Sequence, residues 1–300
     1  MAALRIGTRG SALALAQAEL VARALRGVDG GDEVEIVPIT TSGDRGPGGD
    51  KSRFVKEIEE ALLRGEVDLA VHSAKDVPTE LPDGLGIVGV PARADARDAV
   101  CGAGSLGELA EGVTVGTASL RRRAQLLARR PDLRVEDLRG NVDTRLRRLA
   151  KGAFDAIVLA AAGLERLGRA DEGRVIDTDV MTPAGGQGCL VLEGRVGDER
   201  VAQRCAALSD RASFDQLAAE RALVAALDAS CRTPLGVHAT HEDSALQMDA
   251  FAGLADGSWW IRDTLTGPPN DPAAVGQALA DRMLSAGAGD LLREADAAST

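Results

Sequence analysis

The amino-acid sequence predicts an α/β protein with two similar α/β lobes facing a cleft, followed by a small C-terminal α+β domain with a three-stranded antiparallel sheet. Short apolar runs repeatedly lead into a polar turn and then a helical pattern, which is typical of open parallel sheets. Residues 7–11 (GTRGS) are echoed by residues 116–119 (GTAS), and residues 64–71 by residues 151–158. Because both echoes occur in the same order, they favour a duplicated architecture over chance similarity.

Length and composition indicate a globular protein of more than one domain. The chain has 300 residues, of which 45% are hydrophobic and 27% charged. This length exceeds one typical core, so about two or three domains are expected. The sequence lacks a run of roughly 18 apolar residues, and residues 1–7 resemble the start of a strand rather than a signal peptide. We therefore expect a cytoplasmic protein that does not associate with membranes.

The predicted first lobe alternates strands and helices. Strands are expected at 4–7, 32–38, 67–71 and 85–90, and helices at 12–25 and 54–64. Ser11 is a good N-cap for the first helix. The glycine-rich polar segment 40–52 predicts a mobile loop.

The second lobe repeats this pattern and then returns to the first. A strand is expected at 113–116, a helix at 120–130, and a further strand-to-helix turn at 139–145, and residues 151–158 echo the segment 64–71 that contains a strand of the first lobe. Residues 175–177 and 181–188 predict an extended, glycine-rich crossing, and the strand at 189–193 should rejoin the first lobe. We expect the first lobe to comprise residues 1–90 plus 189–207 and the second lobe residues 94–184.

The C-terminal domain, predicted over 211–300, has a different pattern. Residues 213–227 have the apolar spacing of an amphipathic helix. Alternation at 236–241, 246–254 and 258–266 predicts an antiparallel meander, covered by a helix at 273–286.

The strand at 67–71 leads directly into a polar cluster containing Lys75 and Asp76. Ligands bind just past the carboxyl ends of strands in open parallel sheets. An ammonium group suits an anionic ligand, and a carboxylate suits acid–base chemistry. On these residues alone, however, a solvated charge pair in a loop is the preferred interpretation.

The arginines are unevenly distributed. The chain has a net charge of −11, yet residues 121–148 contain ten arginines and four acidic residues, a local excess of +6. Such an excess favours an anionic ligand bound at one place, although Arg129, Arg130 and Arg148 are expected to lie on solvated helix surfaces. The predicted helix N-termini at Ser11 and Ser119 suit carboxylates or phosphates.

Several arginines could add bidentate contacts to a planar carboxylate at these turns: Arg9, Arg121, Arg122, Arg139 and Arg145. The sequence contains neither a P-loop nor a GxGxxG segment in the right context. A ligand that bears several carboxylates is therefore favoured over a phosphate.

The cysteines do not form a metal or disulfide pattern. Cys101, Cys189, Cys205 and Cys231 are scattered without a CxxC pair, so we expect no metal site. Cys231 falls in a predicted loop. By itself it is most often a small buried or inert thiol, but a cysteine loop facing the cleft also suits covalent attachment.

Seven strings in combination carry a family resemblance: residues 5–11 (RIGTRGS), 54–57 (FVKE), 70–78 (AVHSAKDVP), 115–122 (VGTASLRR), 138–145 (LRGNVDTR), 183–188 (PAGGQG) and 219–222 (AERA), with Cys231 downstream. Together they resemble the porphobilinogen deaminase (hydroxymethylbilane synthase) family of tetrapyrrole biosynthesis. The resemblance extends from Arg5 to at least Gly236.

The resemblance implies a fold and an activity. The fold would have periplasmic-binding-protein-like lobes and a third domain. The enzyme would be a monomeric cytoplasmic transferase of haem (porphyrin) biosynthesis, with a dipyrromethane cofactor thioether-linked to Cys231. It would condense four porphobilinogen molecules head to tail on that primer, release ammonia at each step, and free hydroxymethylbilane by hydrolysis.

Residue roles follow from the match to the family motifs. Asp76 would be the catalytic carboxylate. Cofactor binding is implied for Cys231, Lys75, Ser73, Thr117, Ser119, Arg121, Arg122, Arg139 and Gly140. Substrate binding is implied for Arg9, Ser11, Lys51, Arg145, Arg166 and Gln187.

Two other classes of function provide alternatives. A non-catalytic two-lobe protein that binds a carboxylate ligand would bind it reversibly and have no role for Cys231. An RNA-binding module would use residues 121–148, but the aromatic content of 2% and the acidic total disfavour it. The resemblance implies porphobilinogen as the small-molecule substrate, and we expect no nucleic-acid partner.

Overall fold

The computed structural model describes residues 3–28, 33–44, 54–229 and 233–298. The chain divides into two compact units, Met1–Ala94 with Cys189–Phe214, and Asp95–Gly188 with Asp215–Thr300. The division into three domains expected from the sequence is finer than this one, and it stays a prediction.

Strands and helices follow in chain order. The strands are β1 (Leu4–Arg9), β2 (Val34–Ile39), β3 (Leu69–Ser73), β4 (Leu85–Gly89), β5 (Asp98–Cys101), β6 (Thr114–Gly116), β7 (Arg134–Glu136), β8 (Ala156–Ala160), β9 (Arg174–Ile176), β10 (Leu190–Arg195), β11 (Leu235–Glu242), β12 (Ala245–Gly253) and β13 (Trp260–Gly267). The α-helices are α1 (Ala12–Arg26), α2 (Lys56–Leu63), α3 (Leu120–Arg129), α4 (Val142–Ala150), α5 (Ala161–Arg166), α6 (Glu199–Ala206), α7 (Arg211–Ala226), α8 (Pro272–Ser285) and α9 (Ala288–Ala298).

The first unit is built on a five-stranded sheet of order β2-β1-β3-β10-β4. β1 runs parallel to β2 and β3, whereas β10 runs antiparallel to β3 and β4. The return of β10 to this sheet confirms the strand predicted at 189–193. Leu4, Ile6 and Leu192 are fully buried against the apolar face of α1, so burial of this face holds helix and sheet together.

The second unit contains a sheet of the same pattern, with order β7-β6-β8-β5-β9. β6 runs parallel to β7 and β8, and β5 runs antiparallel to β8 and β9. The predicted duplication of an α/β architecture is confirmed. β5 was not predicted. It has only four residues, all of them buried, and its first residue, Asp98, belongs to a charged stretch that does not have the pattern of a strand.

The echoed glycines occupy equivalent close contacts in the two sheets. A Cβ atom on Gly7 would lie 3.0 Å from a methyl group of Val67, and one on Gly116 would lie 2.8 Å from the ring of Phe154. Both glycines precede a threonine at the end of a parallel strand. The shared Gly-Thr string therefore reflects the same packing constraint in the two sheets.

The C-terminal part of the second unit contains the predicted meander. β12 pairs antiparallel with β11 on one side and β13 on the other. Its apolar face packs with α7, α8 and α9 around Leu223, Met248 and Leu279, all fully buried. The predicted α+β class and the three-stranded sheet are confirmed, and α9 is a helix that the sequence patterns missed.

Across the part of the chain that the structure describes, no helix is long and apolar enough to cross a membrane.

Candidate active site

Five predicted site residues lie at one edge of the first unit's sheet. Arg9 ends β1 and Ser11 caps α1, while Ser73 ends β3 and is followed by Lys75 and Asp76. Because β1 and β3 are adjacent and parallel, their carboxyl ends meet at the same edge. The structure thus brings together two turns that are distant in the sequence.

The turn that carries Lys75 and Asp76 is a single 3-10 turn, Ala74–Asp76, and both side chains are half-buried. The backbone N–H of Ala74 donates to the carbonyl of Cys189 at 3.1 Å. This bond ties the start of the turn to the residue that precedes β10. The Asp76 carboxylate is therefore carried on a backbone fixed by its own sheet.

Two neighbouring side chains contact residues of this unit that are predicted to bind cofactor or substrate. The side-chain amide of Gln17, buried on α1, donates to the Ser73 hydroxyl at 2.8 Å. The guanidinium carbon of Arg9 lies 4.1 Å from the centre of the Phe54 ring, which is within range for a cation–π contact. Gln17 and Phe54 were not predicted as part of the site.

In the second unit, the end of β6 and the start of α3 form a polar turn. The Thr117 hydroxyl accepts from the Ser119 N–H at 3.2 Å, and the Ser119 hydroxyl accepts from the Arg122 N–H at 3.5 Å. The turn thus has the expected N-capped helix, whose N-terminus favours an anion.

A buried carboxylate holds the two arginines of α3. Arg121 Nη1 donates to Asp98 Oδ2 at 2.7 Å and to the Thr182 carbonyl at 2.6 Å. Arg122 Nε and Nη2 donate to Asp98 Oδ1 at 3.0 and 2.8 Å, and Nη1 donates to the Val158 carbonyl at 2.9 Å. Asp98 is 0% exposed, and the two arginines are 4% and 5% exposed.

The electrostatics of this cluster are set by two cations around one anion. Burial by itself would raise the pKa of Asp98, but Arg121 and Arg122 outweigh it and hold that pKa well below its usual range. One positive charge remains in excess within the cluster. A buried charge is stable only when it is paired, so the cluster suits a ligand carboxylate.

The two arginines differ in their remaining donors. Counting bonds among the described residues, Arg122 donates through all three nitrogens, whereas Arg121 donates through Nη1 alone. Because each guanidinium has five N–H groups, two bonds leave Arg121 with three N–H groups for a ligand, and three bonds leave Arg122 with two.

The remaining predicted residues of this unit occupy three places. Arg139 and Gly140 are exposed before α4, and Arg145 Nε donates to the Gly140 carbonyl at 2.7 Å. Arg166 at the end of α5 donates to the Gly188 carbonyl at 2.6 Å. Gln187 is 1% exposed, and its amide donates to Asp98 at 3.0 Å, so it belongs to the cluster around the arginine pair.

Two predicted site residues, Lys51 and Cys231, lie outside the described residues. Asp98 is the main residue of the cluster that sequence reasoning missed. A signal was present, because an acidic residue directly before the apolar residues 99–101 (AVC) can mark a buried charge that needs a partner.

Sequence comparisons decide the family. Residues 4–203 match "Porphobilinogen deaminase, dipyromethane cofactor binding domain", and residues 214–285 match "Porphobilinogen deaminase, C-terminal domain". The chain belongs to the porphobilinogen deaminase family.

Relatives of the family match over nearly the full length. A porphobilinogen deaminase from Deinococcus radiodurans is 45% identical over 97% of this chain and 98% of its own. One from Syntrophotalea carbinolica is 46% identical over 99% and 98%. Among solved structures, a substrate-binding domain of a putative amino acid ABC transporter from Streptococcus pneumoniae has a TM-score of 0.44 and 14% identity, covering 69% of this chain and 92% of its own.

Membership of the porphobilinogen deaminase family confirms the predicted enzyme class, a transferase of tetrapyrrole biosynthesis, and the predicted dipyrromethane cofactor. The carboxylate-binding alternative gains no comparable support. The arginine excess around Asp98 fits a cofactor that bears carboxylates. The roles of individual site residues stay predictions.

Proposed function

We propose that this chain condenses four porphobilinogen molecules head to tail, with Asp76 as the catalytic carboxylate. The observation that carries the proposal is the buried pair Arg121 and Arg122 around a single carboxylate, Asp98. In a porphobilinogen deaminase, this uncompensated charge has a ready partner, because every pyrrole unit brings two carboxylates.

We propose that the dipyrromethane cofactor is held by the residues that match the family motifs. When bound, dipyrromethane supplies a pyrrole carbon on which the chain is extended. We propose Cys231 as its covalent attachment point. Its carboxylates would be bound by Lys75, Ser73, Thr117, Ser119, Arg121, Arg122, Arg139 and Gly140.

Asp76 would act on the reacting ring. Porphobilinogen loses its amino group as ammonia when the C–N bond breaks, which leaves positive charge on the methylpyrrole. A fixed carboxylate beside that ring stabilises the charge. It can also accept a hydrogen bond from the pyrrole N–H. The same carboxylate can assist the proton transfer that accompanies C–C bond formation.

The substrate's own carboxylates need separate partners. We propose Arg9, Ser11, Lys51, Arg145, Arg166 and Gln187 for this role. Arg9 ends β1 and Ser11 follows it, next to the turn with Asp76. Bidentate guanidinium contacts would orient the planar acetate and propionate groups.

We further propose that the enzyme is a monomer of the cytoplasm that does not bind nucleic acid. The net charge of −11 supports the last point, because a strongly acidic chain repels a polyanion.

Intact mass spectrometry of the purified protein tests the function. After expression in a tetrapyrrole-making host, the wild type should exceed its chain mass by the mass of one dipyrromethane. Cys231→Ser should have the bare chain mass and no turnover of porphobilinogen. The neighbouring Ser230→Ala variant is the matched control and should keep the excess mass. A wild type at bare chain mass without turnover would contradict the proposal.

A further inference from the structure

Three titratable side chains lie buried together in the first unit, apart from the site residues. Glu59 of α2, His72 of β3 and Glu193 of β10 are 7%, 5% and 0% exposed. His72 Nε2 lies 3.0 Å from Glu193 Oε2. Glu59 is close enough for the charges of both partners to act on its carboxyl group.

The strand register explains why these groups meet. Glu193 stands directly opposite Ala70 across the antiparallel pair of β10 and β3. His72 is two residues from Ala70, so it projects from the same face of the sheet. α2 packs on this face through fully buried Ile58 and Leu62, and it brings Glu59 to the pair.

Among the described residues, no lysine or arginine forms an ion pair with Glu59 or Glu193. α2 also packs against β1 and β4. β4 has no titratable residue, and Arg5 of β1 is bonded to Asp68. Arg9 of β1 stacks on Phe54. The nearby cation of β10, Arg195, donates to the carbonyls of Leu62 and Val67.

Two carboxylates and one imidazole in an apolar layer cannot all carry charge without cost. Among the described residues, no N–H or O–H group makes a hydrogen bond to either oxygen of Glu193. The His72 imidazole, with Nε2 3.0 Å from Glu193 Oε2, is close enough to interact directly with this carboxyl group. Burial, and then the charge of Glu193, raise the pKa of Glu59 to about 7.

We propose that Glu59, His72 and Glu193 share protons as one unit and act as positioning residues that link the pH to the geometry of the Ser73–Asp76 segment. The link is the backbone. Residue 73 pairs with Leu190, and the N–H of Ala74 bonds the carbonyl of Cys189. His72 on β3 and Glu193 on β10 thus lie on the two strands whose ends hold the turn with Asp76.

The inference rests on the proposed function, because the affected step is the one assigned to Asp76. At pH values below about 7, Glu59 holds a proton and the cluster carries less charge. As the pH rises through that value, a second buried carboxylate ionises. The resulting repulsion should displace the strand ends and lower kcat, with little effect on KM.

The experiment compares pH profiles of kcat and KM for the cofactor-loaded wild type and two variants. Glu59→Gln cannot ionise at this position, so the fall in kcat near pH 7 should disappear. Glu60→Gln is the matched control, because the next residue of α2 is about half exposed and pairs with Arg64. Its profile should superimpose on that of the wild type.

A second measurement needs no variant. Infrared difference spectra of the wild-type holoprotein between pH 6 and pH 8 should show a buried protonated carboxyl band that disappears as the pH rises. Matching kcat profiles for wild type and Glu59→Gln, or no titrating carboxyl band, would overturn the proposal. A wild type without turnover at any pH would instead count against the proposed function.

Discussion

Asp76 lies in a single turn directly after β3, and its proposed role predicts a specific defect. Asp76→Asn keeps the shape of the side chain but removes its charge and its capacity to accept a proton. Because acid–base groups contribute about 10²- to 10⁴-fold, kcat for porphobilinogen consumption should fall by roughly this factor. The excess mass should persist if the cofactor was already attached.

The matched control for this variant is Asp83→Asn. Asp83 is an exposed carboxylate a few residues further along the same unit, and its loss should leave kcat near that of the wild type. Near-normal turnover in Asp76→Asn would show that the catalytic carboxylate lies elsewhere.

Removal of the Asp98 charge should lower the stability of the fold and not only affect the chemistry. Asp98→Asn leaves Arg121 and Arg122 buried without their anion, and removal of one member of a buried ion pair costs about 3–5 kcal/mol. Chemical denaturation should show this loss in the free energy of unfolding. The exposed Asp171→Asn variant should unfold like the wild type.

The pH dependence of the Asp98 effect has a defined sign. The two arginines hold the pKa of Asp98 below its usual range. Its contribution to stability is therefore complete above the unfolded value of about 4 and is lost as the pH falls below it. Asp98→Asn should reduce the steepness of acid unfolding, and an unchanged acid limb would argue against an ionised Asp98.

At the scale of elements, the echoed glycines fix how each parallel strand meets its neighbours. Gly116→Ala would place a Cβ atom 2.8 Å from the Phe154 ring and 3.0 Å from Leu138. Overpacking of this kind costs about 1–3 kcal/mol, so the midpoint of chemical denaturation should fall. Gly107→Ala is the control, because its Cβ atom would have only a hydroxyl 3.8 Å away. Equal midpoints for the two variants would refute the packing explanation.

Sequence patterns located most elements but missed several. The strand predicted at 67–71 begins two residues later, because the N–H of Val67 bonds back to the carbonyl of Ala61 at 3.4 Å and belongs to the turn after α2. β5, α5, α6 and α9 were not predicted. Short or charged segments carry too little periodicity to be recognised, and burial in the folded chain decides their state.

At the scale of the whole molecule, the distribution of charge predicts that the protein does not bind RNA tightly. Several arginines of the 121–148 segment already have acidic partners: Arg121 and Arg122 with Asp98, Arg130 with Asp132, and Arg139 with Asp137. Combined with the net charge of −11, this pairing should prevent tight RNA binding. Fluorescence anisotropy with a single-stranded RNA at low salt should show no saturable binding. Micromolar affinity that falls steeply with salt would contradict this prediction.

The sequence by itself determined the family, the duplicated lobes and the candidates Asp76, Ser11 and Ser119. These conclusions depend on local strings, because strand-to-helix turns and helix caps are set by residues a few positions apart. The tertiary structure alone showed that Asp98 holds two arginines more than twenty residues away. It also placed Glu59, His72 and Glu193 together. Such pairings exist only after distant segments fold against one another, because their stabilisation comes from burial and charge rather than from local spacing.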